Sequence, residues 1–142
     1  MKYFLVFLVV CSLAISYAEG QELLQKARAI ANDCKPESGA SDADIEALFK
    51  HEPAANDKAK CLSACMLKKM GLVDAGAKLN EDAALNILKA VADGDANREQ
   101  LGKELIDGCK GTPPKGNECE SVEALRECLI AKAKENGFKL PW

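Results

Sequence analysis

The sequence predicts an all-α fold of six short helices stapled by three disulfides, and three observations carry that expectation. Apolar residues recur at helical spacing along most of the chain, while alternating strand patterns are nearly absent. Proline, glycine and asparagine punctuate these stretches at intervals suited to short helices. Six cysteines remain once an N-terminal leader is set aside, an even number in a chain bound for an oxidising compartment.

The leader comes first. Lys2 is the only charge ahead of an apolar run from Tyr3 to Tyr17, and Ser16 and Ala18 stand at the −3 and −1 positions of a cleavage site after Ala18. The pattern predicts a secretory signal peptide over residues 1–18 and one mature domain over residues 19–142. Cys11 leaves with the leader. The mature chain then carries 18 basic and 22 acidic residues, a net −4. That balance offers no footprint for nucleic acid and no polybasic membrane patch. No later apolar run approaches the ~20 residues that span a bilayer. A soluble, secreted, extracellular product is expected.

The elements follow in order. Leu23, Ala27, Ile30 and Cys34 mark an amphipathic helix over Gln21–Asp33, ended by Pro36 and Gly39. Ser41 and Asp44 form a capping-box-like start to a short second helix with Ile45, Leu48 and Phe49 on one face, stopped by Pro53. A third spans about Ala55–Met70, with Asn56 or Asp57 near its cap, Lys68 and Lys69 in its last turn and Gly71 just beyond. A loop to Asn80 follows, then a fourth helix over about Glu81–Ala92. Asp93–Asp95 breaks it, and a fifth begins near Asn97 and ends at Cys109. Gly111–Asn117 is a loop, and a sixth helix runs from about Cys119 to Glu135, ended by Asn136 and Gly137.

Cys61 and Cys65 lie four apart on one helix, so both face the same side. A bond between them would restrain a single turn, whereas bonds to other segments restrain far more chain. Of the fifteen pairings open to six cysteines, those containing Cys61–Cys65 are set aside, and the rest stay open. Each bridge closing about 30 residues is worth roughly 3–4 kcal/mol on the chain-entropy model. Three of them license an interior that is not fully packed.

The intervals between the cysteines are 26, 3, 43, 9 and 8 residues. This pattern, above all the 3- and 8-residue intervals, resembles the six-cysteine insect odorant-binding proteins of the pheromone- and general-odorant-binding family. Cys61-Leu-Ser-Ala-Cys-Met-Leu-Lys-Lys-Met70 and Gly76-Ala-Lys-Leu-Asn80 resemble its fly pheromone-binding-protein-related branch. The resemblance implies bridges Cys34–Cys65, Cys61–Cys119 and Cys109–Cys128. It implies helices around an apolar cavity that carries small hydrophobic ligands such as odorants or pheromones to chemosensory receptors. The partners it implies are that ligand and a membrane chemoreceptor, with the carrier a monomer or weak dimer. A general carrier of fatty acids or other lipophilic molecules outside olfaction is the alternative.

The candidate pocket residues come from apolar stripes. Leu62, Ser63, Met66 and Met70 share a face of the third helix, and methionine adapts to ligands of varied shape. Leu85 and Leu88 mark the fourth helix, Leu101 and Leu105 the fifth, and Leu125 and Leu129 the sixth. By offset from the cysteines, Leu105, Leu129 and Phe138 fall where the family places cavity-lining side chains. Phe138–Trp142 is expected to dock over the pocket mouth. Ser63 can form one polar contact, or bond the carbonyl of the preceding turn. His51 reads as a solvated helix-end histidine and Arg126 as a surface residue.

Other classes fare worse. The sequence has no G-x-S-x-G, no H-E-x-x-H, no phosphate loop and a single histidine, so no catalytic site is expected. Without a CxxC motif, no zinc or other metal is expected, and no cofactor. A membrane-disrupting peptide domain would favour a basic chain. A protein-interaction module would expose a large apolar patch.

Overall fold

The computed structural model describes residues 2–141, so Trp142, the end of the expected docking tail, lies outside the described residues. Six α-helices account for the regular structure: α1 (Lys2–Ser38), α2 (Asp42–Phe49), α3 (Asp57–Lys69), α4 (Glu81–Ala92), α5 (Ala96–Cys109) and α6 (Glu118–Asn136). The all-α expectation stands. α3 is the central element and packs against α1, α2 and α6, while α4, α5 and α6 pack in sequence.

Side chains set most boundaries. Asn56, Asn80, Asp95 and Asn117 each cap a helix by accepting the backbone N–H three residues on. Ser41 and Asp44 form a full capping box on α2. The caps at Asn56 and Asp95 place the starts of α3 and α5 at Asp57 and Ala96, near the expected ones.

The first helix departs further from expectation. It runs through Pro36 to Ser38 rather than ending at Asp33. Proline removes one intrahelical hydrogen bond, but here it falls in the last turn. The Gly39 N–H bonds Lys35 O at 3.0 Å, and the Ser38 hydroxyl donates to Cys34 O at 2.9 Å, so that turn still closes. Gly39, at φ +73°, is the residue that stops it. At the other end the helix continues without a break past Ala18. Tyr3, Phe4, Leu5, Val6, Leu8 and Val9 are exposed on it, Tyr3 at 90%.

Two apolar clusters meet at α3. One joins α1, α2 and α3 through Ala27, Ala31, Ile45, Leu48, Leu62 and Met66. The larger joins α3 to α6 and includes Phe138 of the tail. Disulfides Cys34–Cys65, Cys61–Cys119 and Cys109–Cys128 tie α1 to α3, α3 to α6 and α5 to α6. They close 31, 58 and 19 residues.

Candidate ligand-binding site

The larger cluster does not close on itself. It surrounds a cavity of about 90 Å³. α3 supplies Ser63, Met66 and Leu67; α4 supplies Ala84, Ile87, Leu88 and Val91; α5 supplies Gly102, Leu105 and Ile106; α6 supplies Leu125, Arg126, Leu129 and Ile130. α2 adds Leu48, and the tail adds Phe138, Leu140 and Pro141. Leu72, Val73 and Leu79 come from the loop between α3 and α4. That loop is folded inward by an antiparallel bridge between Val73 and Leu79, with Asp74 N–H on Lys78 O at 2.9 Å and Asn80 N–H on Leu72 O at 2.8 Å.

Of the residues read from the sequence, the structure brings Ser63, Met66, Leu88, Leu105, Leu125, Leu129 and Phe138 together on the wall. Leu62, Met70, Leu85 and Leu101 are not on it. Leu62 is fully buried on the α1 side of α3. Met70 is partly buried and packs against both clusters. Leu85 and Leu101 are partly buried behind the wall. The reason is geometric: the rows Leu62–Met66–Met70 and Leu101–Leu105 wind about 40° round the helix at each i, i+4 step, and Leu85 lies about 60° to the side of Leu88. The wall instead follows i, i+3, i+4, as in 84, 87, 88 and 91 on α4.

Gly102 was invisible to a reading that scored side chains. It lines the cavity where α5 meets α4. A Cβ there would overlap the Leu88 side chain, with Cδ2 at 2.9 Å and Cγ at 3.0 Å. The wall is thus set by a glycine facing a leucine across two helices.

The tail is held at two points. The Asn136 side-chain amide donates to Leu101 O at 3.0 Å, and its oxygen accepts the Phe138 N–H at 3.0 Å. The Arg98 guanidinium sits 5.8 Å from the Phe138 ring centroid and its Nη2 reaches Lys139 O at 3.5 Å.

Arg126 corrects the sequence reading. It is buried, 6% exposed, rather than on the surface. Its Nη1 donates to Glu123 Oε1 at 2.8 Å, and Nη2 to Glu52 O at 2.9 Å and Leu48 O at 3.3 Å. Arg126 therefore ties α6 to carbonyls at and just beyond the C-terminal end of α2, adding to the bond that Leu48 O already accepts from the His51 N–H. Glu123, 3% exposed, also accepts the Ala54 N–H at 3.1 Å. His51 corrects a second reading: it is half-buried at φ +59°, and its Nε2 is buried without a hydrogen-bond partner among the described residues. Ser63 donates to Ala59 O at 3.4 Å while also lining the cavity.

No group of three or more His, Cys, Asp or Glu among the described residues is placed to hold a metal ion. No helix among them is long and apolar enough to cross a membrane.

Comparison with known proteins agrees with this geometry. Residues 16–132 match the model of the PBP/GOBP family. General odorant-binding protein 19d of Drosophila melanogaster is 35% identical over 111 residues, covering 78% of this chain and 74% of the relative. General odorant-binding protein 28a of the same organism is 34% identical over 135 residues, 94% of each chain. The solved structure of odorant-binding protein dmelOBP28a from Drosophila melanogaster superposes with a TM-score of 0.75 at 33% identity, covering 84% of this chain and 99% of that one.

Proposed function

Because the chain belongs to the PBP/GOBP family, we propose that its cavity is the binding site of a carrier for small hydrophobic odorants and kindred semiochemicals. The cavity carries the reading: a carrier needs an apolar enclosure, and its wall is apolar except for Ser63 and Arg126. The relatives' names favour odorants over general fatty-acid transport.

At about 90 Å³ the space is smaller than the ~150 Å³ apolar cavity that admits benzene. A medium-chain ligand must therefore widen it. Met66, with its flexible unbranched side chain, and the tail from Phe138 are the parts of the wall built to yield. Residues 1–18 act as a removable secretory leader on this reading. The exposed apolar side chains between Tyr3 and Val9 support it, since a mature domain gains nothing by showing them to water. Delivery to a membrane chemoreceptor by a monomer or weak dimer completes the proposal.

The test is displacement of an apolar fluorophore by a homologous series of alcohols and esters. Burying each added methylene is worth up to ~0.8 kcal/mol, so affinity should climb with chain length until the cavity can widen no further. A charged residue in place of Met66 or Leu88 should weaken binding more than a change at exposed Lys103. A flat series from six to twelve carbons would refute the enclosed site. Mass spectrometry of secreted protein should show a chain beginning at Glu19, and an N-terminus at Met1 would refute the leader.

A further inference from the structure

The cavity wall holds two polar side chains, and they sit together at one end. Ser63 and Arg126 both line a second, much smaller recess of about 10 Å³, which they share with Glu52, Pro53 and Ala54 at the end of α2. Leu48 completes the boundary between the two spaces. The other cavity-lining residues are apolar. The cavity therefore has an aliphatic body and one polar end.

The donors at that end are only partly used. A guanidinium carries five N–H groups. The three hydrogen bonds that Arg126 donates go to Glu123, Leu48 and Glu52. Ser63 holds its own acceptor at 3.4 Å, near the limit of a hydrogen bond. The Arg126 bonds leave two guanidinium N–H groups, and Arg126 and Ser63 both line the cavity. The charge at this end is already balanced, however. Glu123 forms an ion pair with Arg126 at 2.8 Å, and its Oε2 is buried with no hydrogen-bond partner among the described residues. A second carboxylate would bring an uncompensated negative charge into an apolar enclosure, which is costly. A neutral oxygen brings no such charge.

We propose that Arg126 and Ser63 form a polar subsite that selects aliphatic ligands ending in a neutral oxygen, an aldehyde, ketone, ester or alcohol, over both alkanes and carboxylates. This rests on the cavity being the ligand site. The ligand chain lies along α4, α5 and the tail, and its oxygen accepts an N–H from Arg126. A ligand hydroxyl can also donate to the Ser63 oxygen.

The test uses four eight-carbon ligands against the mature protein at pH 8: octane, octanal, octan-1-ol and octanoate, each displacing the same apolar fluorophore. One hydrogen bond to a charged donor is worth roughly a tenfold gain in affinity. Octanal and octanol should therefore bind about tenfold tighter than octane, and octanoate should bind more weakly than either. Ser63→Ala and Arg126→Lys should narrow the octanal-to-octane ratio. The carbonyl stretch of bound octanal should move to lower frequency than in hexane. That readout and the ratio in the unaltered protein decide the matter even if Arg126→Lys fails to fold. Equal affinities across the set, tightest binding by octanoate or an unshifted carbonyl stretch would overturn the subsite and leave the carrier reading standing. Failure of the fluorophore and all four ligands to bind would overturn both.

Discussion

Gly102→Ala changes one methyl group and should change which ligands fit. The new Cβ cannot coexist with the present position of Leu88, whose Cδ2 and Cγ would lie 2.9 and 3.0 Å from it. Leu88 lines the cavity, so the space beside it is where its side chain can go. A methyl is about the size of a water molecule, so the displaced side chain takes one such volume out of the 90 Å³ now open. That corresponds to about one methylene of ligand. The longest ligands that bind well should lose about 0.8 kcal/mol, close to fourfold in affinity, and the preferred chain should shorten by about one carbon. Stability should change little. Alanine in a helix interior gains about 1 kcal/mol over glycine, and overpacking typically costs 1–3 kcal/mol where no space exists to absorb it. The assay is the homologous displacement series on both proteins, with thermal melts alongside. An unchanged preference together with a loss of stability near 3 kcal/mol would show that Leu88 is wedged and does not border usable space.

Four further outcomes are expected. Replacing both Cys109 and Cys128 by serine should cost about 3 kcal/mol, and the Cys61/Cys119 pair about 4, because the loops span 19 and 58 residues; denaturant melts check the order, and equal losses would contradict the loop argument. Arg98→Ala removes the cation held over Phe138; an exposed contact of this kind is worth about 0.5–1 kcal/mol, so ligand dissociation measured by stopped flow should quicken roughly two- to fivefold. Backbone and hydroxyl hydrogen bonds from Ser41 hold the Asp44 carboxyl below its usual range, and partners Arg28 and Lys103 do the same for Glu46 and Glu99. Groups depressed in the folded state stabilise it above their unfolded pKa and lose that contribution as pH falls, so the melting temperature should stay level from pH 7 to about 5 and drop below about 4.5; a loss complete by pH 5.5 would contradict this. Amide exchange should be faster in α4 than in α3 or α6, and ligand should slow it most in α4; uniform protection would argue against a movable α4 wall.

Much of this fold could be read from local chemistry. The caps at Asn56 and Asn80 and the stop at Gly137 act within a few residues of themselves, so sequence shows them, whereas the caps at Asp95 and Asn117 stood inside stretches read as a break and a loop. The run through Pro36 was not legible because it depends on where in the helix the proline falls. The site was legible only in part. Facing sets on four helices can be proposed from periodicity, but their rotation about each axis is decided by the neighbour, which is why Leu85 and Leu101 fall behind the wall. Leu72, Val73 and Leu79 sit on a loop and have no helical period to betray them. Arg126 was hidden for another reason. A charged residue two positions before a half-exposed cysteine looks solvated until Glu123, one turn earlier, is seen buried beside it. The spacing of three was present in the sequence as a common surface pattern, and only the packing of α6 beneath the end of α2 turned it inward.

The distribution of the staples bears on how the cavity works. An unfilled apolar space of 90 Å³ costs about 2 kcal/mol on the scale of engineered cavities. The Cys61–Cys119 bridge alone offsets that by restraining the unfolded chain. All three bridges join α1, α3, α5 and α6, and none touches α2, α4 or the tail. α2 is instead fastened by Arg126 and by the Asn56 side chain on Asp44. α4 has no equivalent anchor. It is held by apolar packing, by Leu88 against Gly102 and by the exposed Glu81–Lys110 pair, and exposed pairs are worth little. The stapled helices thus form a fixed floor that carries the polar end at Ser63 and Arg126. The unstapled α4 and the tail form the opposite, wholly apolar wall. Apart from the flexible Met66 side chain, enlargement for a ligand should come from that wall, because moving it breaks no covalent link. The orienting oxygen contact then stays in place while the aliphatic side adjusts to the length of the chain.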